Sequence, residues 1–142
     1  MSKQIIIDDE IKTYELVNKD KKVFGEISFN PSDVNIAHRY KEVVEELEKM
    51  DINVKAGSDT EDAINAIRQM DEIAYEKIDY LVNANVSKTL FAIMGPFSLM
   101  SSGLSFIEYI MEVNGNIITQ QTGVRVKKMN KHIQKHTSKY HG

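Results

Sequence analysis

The sequence predicts an α+β fold, mostly α, in which an N-terminal β-hairpin packs on a bundle of about four to five helices. Apolar and polar residues alternate over the first thirty residues, and apolar residues recur at three- and four-residue spacing over most of the rest. The 142 residues, 42% of them apolar, suit one hydrophobic core. We therefore predict a single globular domain over residues 1–135, made of a hairpin region (1–30), a helical bundle (34–121) and a basic helix (124–135), with a flexible tail over 136–142.

The hairpin is predicted from two alternating segments joined by the polar, turn-forming sequence NKDKK. One face of the first segment carries Ile11, Thr13, Glu15 and Val17, and one face of the second carries Val23, Gly25, Ile27 and Phe29. An isolated hairpin is only marginally stable in water, so one side is expected to lie on the helices. Gln4–Ile7 is a candidate third strand, and Pro31 ends the second strand because proline cannot continue a ladder.

Two long amphipathic helices are predicted next. The first runs from about Val34 to Lys49, and the second is capped by Asp59 or Thr60 and ends near Asn83. Their apolar stripes are Ile36, Tyr40, Val43, Val44, Leu47 and Met50 in the first helix, and Ala63, Ile64, Ile67, Met70, Ala74, Ile78 and Leu81 in the second. The spacing of both stripes predicts one buried face for each helix.

Two further helices are predicted in the second half of the chain. Ser87 is the candidate cap of a short helix from Lys88 to Met94, which Gly95 and Pro96 end. A fourth helix carries the apolar residues Leu104, Ile107, Ile110, Met111, Ile117 and Ile118. The sequence Asn114-Gly115-Asn116 is expected to loosen the middle of this helix, and the basic helix follows Gly123.

Composition and charge exclude several classes of protein. There is no cysteine, which excludes a disulfide scaffold, a thiolate metal site and a cysteine nucleophile. No apolar run approaches the roughly 18 residues that span a bilayer, and the N-terminus is no signal peptide, so we expect an intracellular protein with no membrane partner. Residues 1–112 carry 12 basic and 21 acidic groups, a balance of −9, whereas residues 113–142 carry 6 basic groups and no acid.

The motifs of the common enzyme classes are missing, so we expect no enzymatic activity, no cofactor and no metal. The sequence holds neither GxGxxG nor GxxxxGK[ST] nor GxSxG. His132 and His136 have the spacing of a metal-binding pair, but the glutamate of HExxH is absent and the neighbours are cationic. The pairs Glu72–Glu76 and Glu108–Glu112 lack the histidine that a di-iron helix bundle places three residues on.

The segment from Leu90 to Met100 is apolar around the whole helical circumference and has two interpretations. It is either a central core helix or a methionine-rich surface that adapts to a partner. The candidate partner-binding residues are Leu90, Phe91, Met94, Phe97, Met100, Ile107 and Met111. The same apolar excess is compatible with self-association.

The basic segment has four interpretations: a solvated helix with a frayed end, a segment that docks on the acidic body, a contact with a negatively charged protein partner, or a nucleic-acid contact. The candidate phosphate contacts are Arg125, Lys127, Lys128, Lys131, Lys135 and Lys139, and Tyr140 is a candidate for stacking on a base. The sequence pI of 5.8 and the lack of a recognisable DNA-binding motif make nucleic acid the less favoured partner. A small phage or host regulator that binds nucleic acid is therefore the alternative function.

The order of elements resembles a known family. The segments KVFGEISFNPSD and NIAHRYKEVVEELEKM, the long acidic helix after them and the ending KKMNKHIQKHTSKY look like the tail assembly chaperones of long-tailed siphophages and related prophages. The resemblance implies a non-enzymatic protein of the bacterial cytoplasm that binds the tape-measure protein, keeps it soluble, assists polymerisation of the tail-tube protein and is absent from the mature virion. In many members a translational frameshift makes a longer second product.

The residues agree with this resemblance at one physical point. A tape measure is a very long amphipathic chain that would aggregate through its exposed apolar stripe. A chaperone for such a chain needs adaptable apolar surface, acidic charge for solubility and no chemistry, and this sequence combines all three features.

Overall fold

The first regular element of the fold is an antiparallel hairpin of two strands, β1 (Lys12–Val17) and β2 (Val23–Phe29). The computed structural model describes residues 1–50 and 59–126. Asn18 closes the hairpin tip. Its side-chain oxygen accepts hydrogen bonds from the backbone N–H groups two and four residues further along the chain, at 2.8 and 3.0 Å. The polar tip sequence thus forms the turn that its composition predicts.

Four helices follow in the described part of the chain, so the fold is α+β and mostly α, as predicted. They are α1 (Asn35–Lys49), α2 (Thr60–Val82), α3 (Ser87–Phe91) and α4 (Phe106–Thr122). The bounds of α1 and α2 lie within one residue of the prediction. Asp59 caps α2 by accepting a hydrogen bond from the Asp62 N–H at 2.8 Å, which confirms the predicted start of that helix.

The core lies between α1 and the three other helices. α1 contacts both α2 and α4, and α3 contacts α2 and β2. The buried side chains are Ile36, Tyr40, Val43, Val44 and Leu47 of α1, Met70, Ala74, Ile78, Leu81 and Val82 of α2, Leu90 and Phe91 of α3, and Phe106, Ile107, Ile110, Met111 and Ile118 of α4. The helical stripes read from the sequence supply most of this core.

The hairpin covers one side of this core, and its two faces alternate as predicted. Phe29 is buried, and the side chains of Tyr14, Leu16 and Ile27 are half-buried against the core. Gly25 lies so close to α3 that a Cβ on it would stand 2.8 Å from the Thr89 methyl carbon. The helices therefore supply the support that an isolated hairpin lacks.

Polar contacts line the exposed edge between α1 and α2. The Arg39 Nε donates to the carbonyl oxygen of Leu81 at 3.0 Å, and the Tyr80 hydroxyl donates to the Glu42 carboxylate at 2.6 Å. Lys77 pairs with Glu46 across the same edge. These contacts fix the register of the two helices at the rim of their apolar contact.

Asp79 caps α3 from a different helix, which corrects the prediction that Ser87 is the cap. One Asp79 oxygen accepts from the N–H groups of Val86 and Ser87, at 2.8 and 2.7 Å, and the other accepts from the Ser87 hydroxyl at 2.9 Å. Ser87 is the first residue of α3 and donates rather than caps. The cap is a tertiary contact between the last turn of α2 and the start of α3.

The helix predicted to run to Met94 is shorter in the structure, since α3 ends at Phe91. A loop follows that folds back on itself before α4. The Phe106 N–H donates to the carbonyl oxygen of Ser98 at 2.8 Å, and the Ile107 N–H donates to that of Pro96 at 2.7 Å. Loop carbonyl oxygens thus accept from the first N–H groups of α4, which have no partner within the helix.

Three further predictions differ from the structure. Gln4–Ile7 forms no strand, so the candidate third strand is wrong. The Asn114-Gly115-Asn116 sequence is helical throughout, so the expected loosening of α4 is also wrong. Residues 124–126 are not helical, which corrects the start of the basic helix, and its remainder and the tail lie outside the described residues.

Asp79→Ala is expected to lower the free energy of unfolding by about 1–3 kcal/mol, because two backbone N–H groups and a hydroxyl lose a charged acceptor. Urea denaturation followed by circular dichroism measures the change. Glu72→Ala, on an exposed position of the same helix, is the matched control and should change stability by less than about 0.5 kcal/mol. Equal effects of the two substitutions would contradict the capping role of Asp79.

Candidate partner-binding groove on α4

An open cavity of about 1240 Å³ follows the outward face of α4 and is called the α4 groove here. Its apolar lining is Met100, Leu104, Tyr109, Val113 and Val126, and its polar lining includes Glu108, Glu112, Asn116, Thr119, Gln120 and Arg125. The helical residues recur at three- and four-residue spacing and so form one face of α4. From Glu108 to Gln120 this face is about 18 Å long, at 1.5 Å per residue.

The floor of the α4 groove is a close contact between α1 and α4. The Tyr40 hydroxyl donates a hydrogen bond to the Met111 carbonyl oxygen at 3.1 Å. A Cβ on Gly115 would stand 2.9 Å from the Tyr40 hydroxyl oxygen and 3.3 Å from its ring carbon, closer than packed atoms allow. Glycine in the middle of α4 therefore lets the tyrosine reach the helix backbone.

Two glutamates of the α4 groove have different structural roles. Glu108 is buried and forms a capping box with Ser105: its carboxylate accepts from the Ser105 N–H at 3.2 Å and from the Ser105 hydroxyl at 2.8 Å. Glu112 is exposed, and its charge acts on Tyr40. Burial first, and the Glu112 charge second, raise the pKa of Tyr40 to about 12. The free acidic charge of the groove therefore lies beside its floor.

The chain after α4 forms one wall of the groove. Gly123 ends α4 with a left-handed backbone (φ 74°), and Val126 then packs 3.4 Å from the position of a Cβ on Gly115. A second cavity of about 500 Å³ lies on the other side of this wall, against α1, where Glu45, Glu48 and Lys41 are among the lining residues. Arg125 lines both cavities and is exposed.

The candidate partner-binding residues from the sequence do not form one surface. Leu90, Phe91, Ile107 and Met111 are buried, and the Phe91 ring lies 5.0 Å from that of Tyr75 and 6.1 Å from that of Phe106. Met94 is exposed, and Phe97 and Met100 are half-buried. Of the seven, Met100 is the one that lines the α4 groove. The core interpretation of the apolar segment fits its buried members.

The basic candidates divide in the same way. Arg125 lies in the groove wall, whereas Lys127, Lys128, Lys131 and Lys135 fall outside the described residues, as do His132, His136, Lys139 and Tyr140. Tyr109 and Val113 also line the groove but are not among the residues predicted from the sequence. Their i, i+4 spacing, opposite the buried stripe of α4, is the signal that points to them.

Gly115→Ala is expected to lower the free energy of unfolding by about 1–3 kcal/mol, because the added methyl group overpacks the Tyr40 contact. Alanine is otherwise the better helix former by about 1 kcal/mol, so the sign of the change is diagnostic. Asn116→Ala, at the exposed next position, is the control and should be neutral or slightly stabilising. Chemical denaturation measures both, and a more stable Gly115→Ala protein would contradict the contact.

Alkaline pH is expected to destabilise the fold through Tyr40. Its pKa is raised from 10.0 to about 12 in the folded protein, so the folded state favours the neutral phenol. The stabilisation is complete below pH 10 and is lost as pH rises through about 12. Denaturation curves across this range should show a steeper loss for the native protein than for Tyr40→Phe. An identical pH dependence in the two proteins would rule out this role.

Neither a metal centre nor a membrane span is found in the part of the chain that the structure describes. No group of three or more histidine, aspartate or glutamate side chains is arranged there to hold a metal ion. None of the helices within residues 1–50 and 59–126 is long and apolar enough to cross a bilayer. Comparison with protein-family models, with curated proteins and with solved structures found no match to this chain.

Proposed function

We propose that this protein is a bacteriophage tail assembly chaperone. In the cytoplasm of the bacterial host it binds the tape-measure protein, keeps that protein soluble, assists polymerisation of the tail-tube protein around it and is absent from the mature virion. The observation that carries the proposal is the α4 groove, an open and partly apolar channel about 18 Å long on a helix face. The sequence resemblance supplies the identity of the partner.

The dimensions of the α4 groove suit one face of a helix. Its length matches about twelve helical residues, or three turns, and its volume of about 1240 Å³ accommodates the side chains of one apolar stripe. Recognition of an amphipathic helix by a groove uses anchors at positions i, i+3, i+4 and i+7 of the helix. A tape measure, as a long amphipathic chain, presents such anchors repeatedly.

The lining residues suit a partner that varies along its length. Met100 is unbranched and polarizable and adapts to anchors of different shape. Tyr109 offers a large ring, which is half-exposed and already stacked beside Phe106 at 6.5 Å, so little conformational freedom is lost when it is covered. Glu112 adds a charge that favours a lysine or arginine at the edge of the partner's stripe.

A groove of this length fits a transient complex. Three helical turns bury less area than the roughly 1,600 Å² of a standard stable interface, so each single contact is weak and reversible. Many copies bound along one tape measure would nevertheless cover it, and each could be displaced when tube subunits arrive. This behaviour agrees with a protein that assists assembly and then leaves.

Val113→Asp is expected to weaken binding of tape-measure fragments at least tenfold, because it places a charge among the apolar anchors of the groove. Ile73→Asp is the matched control, since Ile73 lies on α2, outside the groove, and is also 39% exposed. Titration calorimetry with overlapping fragments of the tape-measure protein from the same phage genome gives the affinities. Co-expression gives a second measurement, the fraction of tape-measure protein that stays soluble.

Two results would overturn the proposal. One is a folded protein that binds no tape-measure fragment and leaves the tape measure insoluble. The other is retention on heparin with a steep loss of binding in salt, which would favour a nucleic-acid-binding regulator instead. Equal weakening by Val113→Asp and Ile73→Asp would leave the chaperone function in place but exclude the α4 groove as its site.

A further inference from the structure

Residues 1–7, called the isoleucine arm here, extend from the body without regular secondary structure. Ile5, Ile6 and Ile7 are 85%, 98% and 79% exposed. Burying apolar side chains of this size lowers the free energy of the protein, so a run of three exposed isoleucines is unusual. No backbone group of the arm is hydrogen-bonded to another described residue. The arm has the composition of a strand but pairs with no other segment that the structure describes.

The root of the arm holds it away from its own β1. The Asp8 carboxylate accepts from the Glu10 N–H at 2.9 Å, and the Asp9 carboxylate accepts from the Ile11 N–H at 3.1 Å. Glu10 has a left-handed backbone with φ 56°. These local turns set the direction in which the arm leaves the hairpin, and the arm does not fold back beside β1 as a third strand.

Each strand of the hairpin has an outer edge with which the arm can pair. β1 and β2 form a sheet of two strands, and within the described residues no further segment pairs with the outer edge of either strand. Val23 and Phe24, at the start of β2, are each 51% exposed. An unpaired edge with exposed apolar side chains is a template for an added strand.

Charge selects a second copy of this chain as the partner. The root of the arm is acidic, with Asp8, Asp9 and Glu10, and the hairpin tip is basic, with Lys19, Lys21 and Lys22 around one aspartate. Root and tip lie at opposite ends of β1, which has six residues, so they are roughly 20 Å apart in one chain. They can meet only between copies.

We propose that the isoleucine arm of one copy adds to the outer edge of β2 in a second copy as an antiparallel strand. The acidic root then lies beside the basic tip of the second copy. Because β2 starts at the tip, this charge pairing requires the arm to run opposite to β2, which is also the commoner arrangement of neighbouring strands.

Side-chain alternation fits this pairing in either register. Ile5 and Ile7 point to one face of the added strand and Ile6 to the other. One of these isoleucines therefore falls on the face that carries Phe24, where an aromatic ring and a β-branched side chain form a favourable cross-strand pair. The α4 groove takes no part in the contact, so the proposal does not rest on the proposed function.

Sedimentation of the full chain over a range of concentrations tests the pairing. We expect reversible self-association that Ile6→Asp weakens at least tenfold. Ile64→Asp, at an exposed isoleucine of α2, is the matched control and should leave self-association unchanged. Circular dichroism should show both variants folded, since neither side chain belongs to the core.

Charge exchange tests the direction of the strand. Glu10→Lys and Lys22→Glu should each weaken self-association, because either one opposes like charges across the contact. A mixture of the two variants should restore it, since each arm of a mixed pair then meets a tip of opposite charge. Neither substitution removes a hydrogen bond, because both residues use only backbone groups in the turns.

Three results would overturn this proposal: a native chain that is monomeric at its highest soluble concentration, self-association that Ile6→Asp does not weaken, or a mixture of charge variants that stays dissociated. If Ile6→Asp leaves self-association unchanged but abolishes tape-measure binding, the second of these results holds and the arm serves a different partner. Failure of tape-measure binding in the native chain bears on the proposed function alone.

Discussion

The contact of Tyr40 with the backbone of α4 sets the arrangement of the second half of the fold. Its hydroxyl reaches the Met111 carbonyl oxygen, and Gly115 one turn later leaves room for the ring. Any side chain at that position would push α4 away from α1. The close approach turns one face of α4 outward and lets Val126 settle against the glycine. The α4 groove is thus a consequence of how two helices pack.

The two proposed contacts use separate surfaces of the protein. The isoleucine arm and the β2 edge belong to the N-terminal hairpin, whereas the α4 groove is formed by α4, the loop before it and the segment after it. The two surfaces share no residue. Copies joined through their hairpins would therefore still present their grooves, and linked grooves raise the effective concentration for a partner that carries repeated anchors.

Sequence patterns predict the features of the fold that depend on interactions within one helix. The stripes of α1 and α2 predict their bounds and most of their buried residues, because amphipathic spacing and an aspartate cap act within one helix. The cap of α3 escaped prediction because Asp79 lies in the preceding helix and meets Ser87 only through tertiary folding. Composition alone does not separate a core segment from a binding surface, and the Leu90–Met100 segment contains both buried core residues and Met100 in the lining of the α4 groove. Tyr109 and Val113 form a groove only with the loop and the Val126 wall.

The position of Arg125 connects the groove to the charge asymmetry of the chain. It lies in the wall between the two cavities, with Glu112 along one and Glu45 and Glu48 along the other. Arg125, the first basic residue among the last thirty, thus shares both cavities with acidic side chains. A basic side chain at the edge of a partner helix would meet the same glutamates, so it would compete with Arg125 for their charge. Arg125 would then lower the affinity of the groove for such a partner below the value set by its apolar lining alone, in keeping with the weak and reversible contact proposed above.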